Sequence, residues 1–323
     1  MKLNPKYFWL AVFMALVFSC KEENKLENQI AGIPVQVSPA RFDVEFAKAT
    51  PKDLPALKRK YPYLFPERFP DSLWVAKMGD SLQHELSEEV AMGFGDFETE
   101  TGQLKGLFQH LRYYFPGMAL PKVVTMTSDV DYNNRVILTD SLLLIGLDNY
   151  LGKDHRFYQG IPRYVAKGLD RQFLVADVAS AFAKAVNRYP RNRTFLSRMV
   201  YHGKELYLKE MLLPDLPKAA IIGYETDEME WAAANEAQMW RYFIERELLY
   251  STESGLDRRF LDPAPFSKFQ LELDTESPGR LGRYLGWQIV RSFAKNRPEV
   301  PLTELLVLPA DELFKEANYK PKK

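Results

Sequence analysis

The cysteine content of the chain is the feature that most constrains its fold. Cys20 is the only cysteine, so no internal disulfide can stabilise the structure. Cys20 follows Lys2, Lys6 and an unbroken apolar run over residues 7–18. A basic start, a short apolar run and a small residue before the cleavage point are typical of a bacterial signal peptide. We therefore expect residues 1–19 to be removed and the remainder to fold by burying apolar surface.

A cysteine directly after such a leader predicts a lipid anchor. Residues 16–19 fit the lipobox of bacterial lipoproteins loosely, because Phe18 is bulkier than usual at its position. Acylation of Cys20 with several chains would hold the protein stably on a membrane. Two alternatives are an incidental thiol in a simple signal peptide and an uncleaved anchor helix, for which the apolar run is short.

The composition predicts a folded globule with a sizeable core. Hydrophobic residues make up 46% of the chain and aromatic residues 13%. The 43 basic residues are balanced by 43 acidic ones, so no basic face is implied and we expect no nucleic-acid partner. We interpret residues 20–40 as the lipidated cysteine and a flexible tether. Residues 41–323 are then a single globular domain, which we expect to be a monomer.

Hydrophobic patterning predicts an α+β fold that is mostly helical. Segments rich in leucine and β-branched residues predict strands at 122–127, 135–138 and 141–145. Helical periodicity and capping signals predict helices over 81–92, 171–189, 195–213, 227–250 and 277–295. The order of these elements indicates a small β-sheet followed by a helical bundle.

Several separated motifs carry a family resemblance. They are LIGLDNYLG at 144–152, WAAANE at 231–236, MWRYFIE at 239–245 and SPGRLGRYLGWQIVRS at 277–292. Together with the leader, they closely resemble the GldB family, the gliding-motility lipoproteins of Bacteroidetes. The resemblance covers nearly the whole mature chain.

This resemblance implies an envelope lipoprotein that is required for gliding motility and for the linked secretion machinery. It would be attached through its lipid, at the outer membrane and facing the periplasm or the cell surface. Its expected partners are other gliding-motility proteins of the envelope.

A weaker resemblance is to bacterial zinc-peptidase-like domains, and it implies a zincin-like scaffold. Their last helix reads Pro-x-x-x-Gly-x-x-x-Gly-x-x-x-Val, which Pro278, Gly282, Gly286 and Val290 fit. This part of the resemblance concerns the scaffold alone.

The zinc motif of those domains is absent from this chain. It consists of two histidines one helical turn apart with a glutamate beside the first, and the matching positions hold Asp177, Val178 and Ala181. His202 on the next helix adds one more candidate ligand. Asp177 and His202 are two ligands where a catalytic zinc needs three. We therefore expect a degenerate peptidase that has no catalytic residues, no metal and no cofactor.

Residues of the predicted helices at 227–250 and 277–295 indicate a cleft or a partner face. Its candidate residues are Glu236, Trp240, Arg280, Gly282, Arg283, Tyr284, Gly286 and Trp287. Glu236 lies on an apolar helix, where burial would require a partner such as an arginine. Each glycine inside a helix costs about 1 kcal/mol relative to alanine, so the glycines predict either close helix packing or a flat surface for a partner.

Three functions therefore stand as hypotheses. The first is a non-catalytic envelope lipoprotein that acts through protein–protein contacts. The second is a zinc-dependent peptidase with an atypical ligand set. The third is a lipoprotein that binds a peptide or a glycan in the cleft.

Overall fold

The structure is a computed structural model that describes residues 25–270 and 274–321. The predicted leader and Cys20 lie outside these residues. The described part is α+β and 58% helical, with a small mixed sheet of four strands. The predicted fold class, α+β and mostly helical, is confirmed at this level.

The sheet contains parallel and antiparallel strands. They are β1 (Ala40–Arg41), β2 (Lys122–Met126), β3 (Val136–Leu138) and β4 (Leu142–Gly146). The order is β1-β2-β4-β3, in which β2 is parallel to both of its neighbours and β3 is antiparallel to β4. The three longer strands lie within one residue of their predicted positions. The two-residue strand β1 was not predicted, because so short a segment has no recognisable pattern.

Both faces of the sheet are buried, which explains why its central strands are apolar throughout. Val123 of β2 and Leu143 of β4 belong to the main core, whereas Val124 belongs to a second, smaller core. Successive side chains of a strand point to opposite faces. The two cores therefore lie on the two sides of the sheet.

Helices of the N-terminal half cover the sheet and the start of the main core. They are α1 (25–31), α2 (Phe42–Lys48), α3 (Leu54–Lys60), α4 (Asp71–Met78), α5 (Ser81–Phe94) and α6 (Glu98–Tyr114). The second core contains apolar side chains of α2, α3 and α4. Helix α5 confirms the predicted helix at 81–92, and the carboxylate of Asp80 caps it by accepting a hydrogen bond from the Gln83 amide at 2.9 Å.

Residues 25–40 pack on the fold, in contrast to the predicted flexible tether. Ile30 is 1% exposed. The side-chain amide of Gln109 donates to the carbonyl oxygens of Ala31 and Ile33 at 2.8 and 3.0 Å. Ile30 is the one buried side chain of α1, so the segment shows no apolar periodicity and reads as a linker.

The C-terminal half is a bundle of helices. They are α7 (Arg163–Ala166), α8 (Leu174–Val186), α9 (Phe195–Leu212), α10 (Lys218–Ile222), α11 (Thr226–Ala234), α12 (Glu236–Glu245), α13 (Gly255–Phe260), α14 (Leu281–Asn296), α15 (Leu302–Val307) and α16 (Ala310–Ala317). Helices α8 and α9 confirm the predictions at 171–189 and 195–213, the first beginning three residues later than predicted.

Two of the predicted helices were wrong in detail. The helix predicted at 227–250 is interrupted at Asn235, whose side-chain amide donates to the Trp231 carbonyl at 2.9 Å and competes with the helix backbone. The helix predicted from residue 277 begins at Leu281, because Arg280 has a φ of 62°. Gly279 therefore precedes α14, and two further helices follow α14 in the chain.

Helices α9 and α14 pack with their backbones in contact. A Cβ atom on Gly286 would lie 2.0 Å from the carbonyl oxygen of Met199, and one on Gly203 would lie 2.2 Å from the carbonyl oxygen of Gly286. A Cβ atom on Gly282 would lie 2.8 Å from Cδ2 of Leu261 and 3.0 Å from the carbonyl oxygen of Phe260. The glycines of α14 thus serve internal packing, and they do not form a partner face.

Replacing one of these glycines should test the contact. We expect Gly286→Ala to lower the free energy of unfolding by about 1–3 kcal/mol, since the added methyl group overlaps a backbone that has little freedom to move. Gly102→Ala is the matched control in α6, where an added Cβ meets nothing within 4 Å. The control should raise the free energy by about 0.5–1 kcal/mol. Urea unfolding measures both values, and a neutral Gly286→Ala would contradict the contact.

Candidate functional site: a basic cleft

A cleft of about 660 Å³ lies where β3, α8, α9 and the start of α14 meet. Asp177 of α8 and His202 of α9 both line it, as do Arg280 and Arg283. These four residues are distant in sequence, and the fold brings them to one site. The two candidate metal ligands and two arginines of the predicted partner face therefore share one cleft.

Positive charge is concentrated in this cleft. Asp177 and Glu205 are its acidic side chains. Six basic side chains line it: Arg135, Lys167, Lys184, Lys209, Arg280 and Arg283. The excess is four positive charges, although the whole chain has as many acidic as basic residues. Such an accumulation attracts anions.

Asp177 is engaged by neighbouring side chains. Its Oδ2 lies 2.9 Å from Nε of Arg135 and accepts a hydrogen bond from the Tyr150 hydroxyl at 3.1 Å. Burial alone would lower the pKa of Arg135, but the Asp177 carboxylate outweighs it and raises that pKa. A carboxylate already paired with a guanidinium group is a poor ligand for a second cation.

His202 and Glu205 lie one helical turn apart on α9. Nδ1 of His202 is 3.7 Å from Oε2 of Glu205, which is too far for a hydrogen bond. Burial lowers the pKa of His202, so the ring is neutral at pH 7. Burial alone would raise the pKa of Glu205, but contacts with His202 and with nearby cations lower it to about 2. Because the His202 contact is long, we attribute this low pKa mainly to the cations, among them Lys209.

The residues of the cleft do not fit a zinc site. In residues 25–270 and 274–321, no three His, Cys, Asp or Glu side chains are placed together to hold a metal ion. Val178, for which the zinc-peptidase resemblance predicts the position of the base, is buried in the main core. Ala181 offers no ligand atom in place of the second histidine.

Lys209 is the least compensated charge in the cleft. It is 5% exposed, and its Nζ makes no hydrogen bond or ion pair with any residue that the structure describes. Burial lowers its pKa to about 8. An unpaired buried ammonium group destabilises a fold, so the requirements of folding do not explain this lysine.

Lys204 on the same helix shows the contrast. It is also buried, with its pKa lowered to about 8 by burial. Its Nζ donates to the carbonyl oxygens of Leu306 and Leu308 at 3.0 and 2.6 Å. Lys204 therefore joins α9 to the α15 region, which is a structural role.

Arg280 and Arg283 are fixed in the cleft by backbone carbonyl groups. Arg280 donates to the Gly223 carbonyl at 2.8 Å and lies over the ring of Tyr224, 5.4 Å from its centroid. Nε of Arg283 donates to the Leu261 carbonyl. Burial, with the neighbouring charge of Arg280, lowers the pKa of Arg283 to about 10, which leaves it charged at pH 7.

A strained loop forms one rim of the cleft. Val130 in this loop has a φ of 56°, which is an outlier for a β-branched residue. The buried carboxylate of Asp148 holds the loop by accepting hydrogen bonds from the amides of Ser128 and Val130 at 2.9 and 2.7 Å. Burial raises the pKa of Asp148, although these hydrogen bonds oppose the shift. Asp148 belongs to the motif at 144–152 and thereby positions Tyr132 at the rim.

Most of the predicted cleft or partner face lies elsewhere. Glu236 accepts hydrogen bonds from the hydroxyls of Tyr284 and Tyr319 at 2.9 and 2.8 Å. Trp240 packs on Tyr319, with 5.1 Å between ring centroids. Gly282, Tyr284, Gly286 and Trp287 are buried. Of the predicted set, Arg280 and Arg283 alone line the cleft.

Sequence reasoning missed Arg135, Lys184, Glu205 and Lys209. A weak signal was present in α9, which carries charged residues on a side that the structure buries.

None of the helices in the described part of the chain has the length and apolar composition needed to cross a bilayer.

Comparison with known proteins identifies a family. Residues 23–321 match the family model described as gliding motility protein GldB. Neither the curated proteins nor the solved structures give a match. The family match extends from α1 to α16 and includes every element of the cleft.

The two buried lysines of α9 should respond to substitution with opposite signs. We expect Lys209→Met to raise the free energy of unfolding at pH 7 by about 1–3 kcal/mol, since it removes an uncompensated buried charge. Lys204→Met should lower it by about 1–3 kcal/mol, since two carbonyl groups lose their donor. Urea unfolding at pH 7 measures both, and a destabilised Lys209→Met would contradict the interpretation of Lys209.

The gain from Lys209→Met should also depend on pH. The pKa of Lys209 falls from 10.5 to about 8 on folding, so the folded state loses the proton first. The penalty is therefore complete below pH 8 and disappears as the pH rises toward 10.5. The stability difference between Lys209→Met and wild type should shrink between pH 7 and pH 9.5.

Proposed function

Because the chain belongs to the GldB family of gliding motility proteins, we propose that it acts in gliding as a lipid-anchored, non-catalytic component of the cell envelope. The observation that supports this proposal is the cleft, whose polar residues suit the binding of a partner. Lys209 and Arg283 occupy it as cations, and Asp177 is already paired. The expected partners are other gliding-motility proteins and the linked secretion machinery.

The scaffold supports a cleft that binds without cleaving. The order of the sheet, α8, α9 and α14 resembles the order expected for a zincin-like domain, and we propose that this chain is a degenerate member of that class. Val178 and Ala181 stand where the base and a metal ligand would lie. A partner could enter such a cleft and remain intact.

The sheet edge beside the cleft offers a way to hold an extended partner segment. The carbonyl of Arg135 accepts from the Gly146 amide, and the Thr139 amide donates to the Leu142 carbonyl. In an antiparallel pair these groups alternate in direction, so the backbone groups of Val136 point away from β4. Val136 also lines the cleft. Addition of a strand to a sheet edge is a common mode of peptide recognition.

A bulky side chain that blocks the cleft should abolish gliding and leave the protein folded. We expect Ala181→Trp, on the cleft wall, to leave the protein folded in cells while gliding is lost, since the indole fills the space that a partner needs. Ala185→Trp lies one turn further along α8 and outside the cleft lining, which makes it the matched control. Protein level, melting temperature and gliding speed are the measurements. Normal gliding of Ala181→Trp cells would contradict a role for the cleft.

A zinc-dependent peptidase with Asp177 and His202 as atypical ligands is the second candidate, because both residues line the same cleft. On our proposal, the purified chain holds no stoichiometric zinc and a chelator leaves its melting temperature unchanged, since no metal-binding free energy contributes to folding. Metal analysis and a thermal melt test this. One zinc per chain that is lost in Asp177→Ala or His202→Ala would favour the peptidase.

A further inference from the structure

We propose that the floor of the cleft binds an oxyanion, either a carboxylate or a phosphate group, of the partner that enters it, with Lys209 and Arg283 as the main contacts. The inference rests on the proposed binding role of the cleft and adds the chemistry of what it binds. Lys209 is a buried cation of this cleft that makes no hydrogen bond or ion pair with the described residues.

No structural contact accounts for the burial of Lys209, so we infer that this lysine binds a ligand. It is 95% buried, it lines the cleft, and its ammonium group has no protein partner among the described residues. Lys204 shows that a buried lysine of the same helix can be satisfied by two carbonyl oxygens. A charge that is buried without a partner is compensated when a ligand of opposite charge arrives.

Arg283 presents the second part of the site. Its Nε donates to the Leu261 carbonyl, which fixes the plane of the guanidinium group. The two terminal nitrogens make no hydrogen bond or ion pair within the part of the chain that the structure describes. Such an edge with parallel N–H groups matches two oxygens of a carboxylate or a phosphate. Arg280 is held beside it by the Gly223 carbonyl.

The acidic side chains of the cleft do not satisfy these cations. Asp177 is paired with Arg135. Glu205 is then the remaining carboxylate of the lining for Lys209, Lys184 and Arg283, whose charges all act on it. One carboxylate opposite three cations leaves room for an added negative charge. The volume of about 660 Å³ lies within the range of small-ligand sites, which is about 300–1,000 Å³.

Anion binding should be coupled to proton uptake. Lys209 is partly deprotonated at pH 8, because its pKa is about 8 when it faces Glu205, Asp177, Arg280 and Lys184 without a ligand. A bound oxyanion favours the charged form and raises this pKa. At pH 8, binding should therefore take up protons through Lys209, which a purely structural lysine would not cause.

The test is a calorimetric titration of the full chain in detergent micelles at pH 8, in two buffers of different ionisation enthalpy. One arm uses a capped hexapeptide containing three aspartates, with the asparagine peptide as its control. The other arm uses inorganic pyrophosphate, with sodium chloride at equal ionic strength as its control. We expect saturable binding in at least one arm, with proton uptake.

Variants then assign the site. Lys209→Met should weaken binding about 10-fold or more and abolish proton uptake, since it removes a charge-assisted contact. Lys105→Met, an exposed change of the same net charge on α6, should leave both unchanged. Binding by the peptide identifies a carboxylate ligand, and binding by pyrophosphate identifies a phosphate ligand. Absence of binding in both arms, or wild-type binding by Lys209→Met, would overturn the inference.

The outcome is separable from that of the proposed function. The titration reports on the cleft floor alone, whereas gliding of Ala181→Trp cells reports on the use of the cleft in motility. Loss of gliding without any anion binding would retain the proposed function and remove the oxyanion site. Anion binding with normal gliding of Ala181→Trp cells would retain the oxyanion site and remove the proposed function of the cleft in gliding.

Discussion

The backbone contact between α9 and α14 is the constraint on which the cleft depends. Gly203 and Gly286 allow the two helices to approach until no side chain fits between them. His202 is adjacent to Gly203, and Arg283 lies one turn before Gly286. The close approach therefore places the polar side of α9 opposite the basic start of α14. A larger residue at either glycine would separate the two walls as well as weaken the core.

The buried charged groups of this fold differ in how they are compensated. Outside the cleft, Asp148 and Lys204 both have hydrogen-bond partners. In the cleft, Lys209 is charged and makes no hydrogen bond or ion pair with the described residues, so its burial opposes folding. Natural proteins commonly retain such unfavourable groups where function requires them. The large apolar core around α9 and α14 provides the stability that permits this.

The apolar patterns of the sequence predicted helices and strands correctly where one face or both faces of the element are buried. Strands β2 and β4 and helices α5, α8 and α9 have apolar residues at the spacing that burial imposes. The pattern failed where a single side chain decides the structure. Asn235 interrupts a helix through its own amide, and Ile30 holds α1 on the domain. Such solitary contacts leave no periodic signal.

The sequence by itself determined the family, the helical α+β character and the three longer strands, because each depends on residues close together or on motifs in order. The tertiary structure decided which charges are compensated. Lys204 and Lys209 are the same residue type on one helix, and both are buried. The carbonyls of Leu306 and Leu308 satisfy the first, while the second lines the cleft and makes no hydrogen bond or ion pair with the described residues. Their difference arises because electrostatic pairing depends on groups that are distant in sequence and meet only on folding.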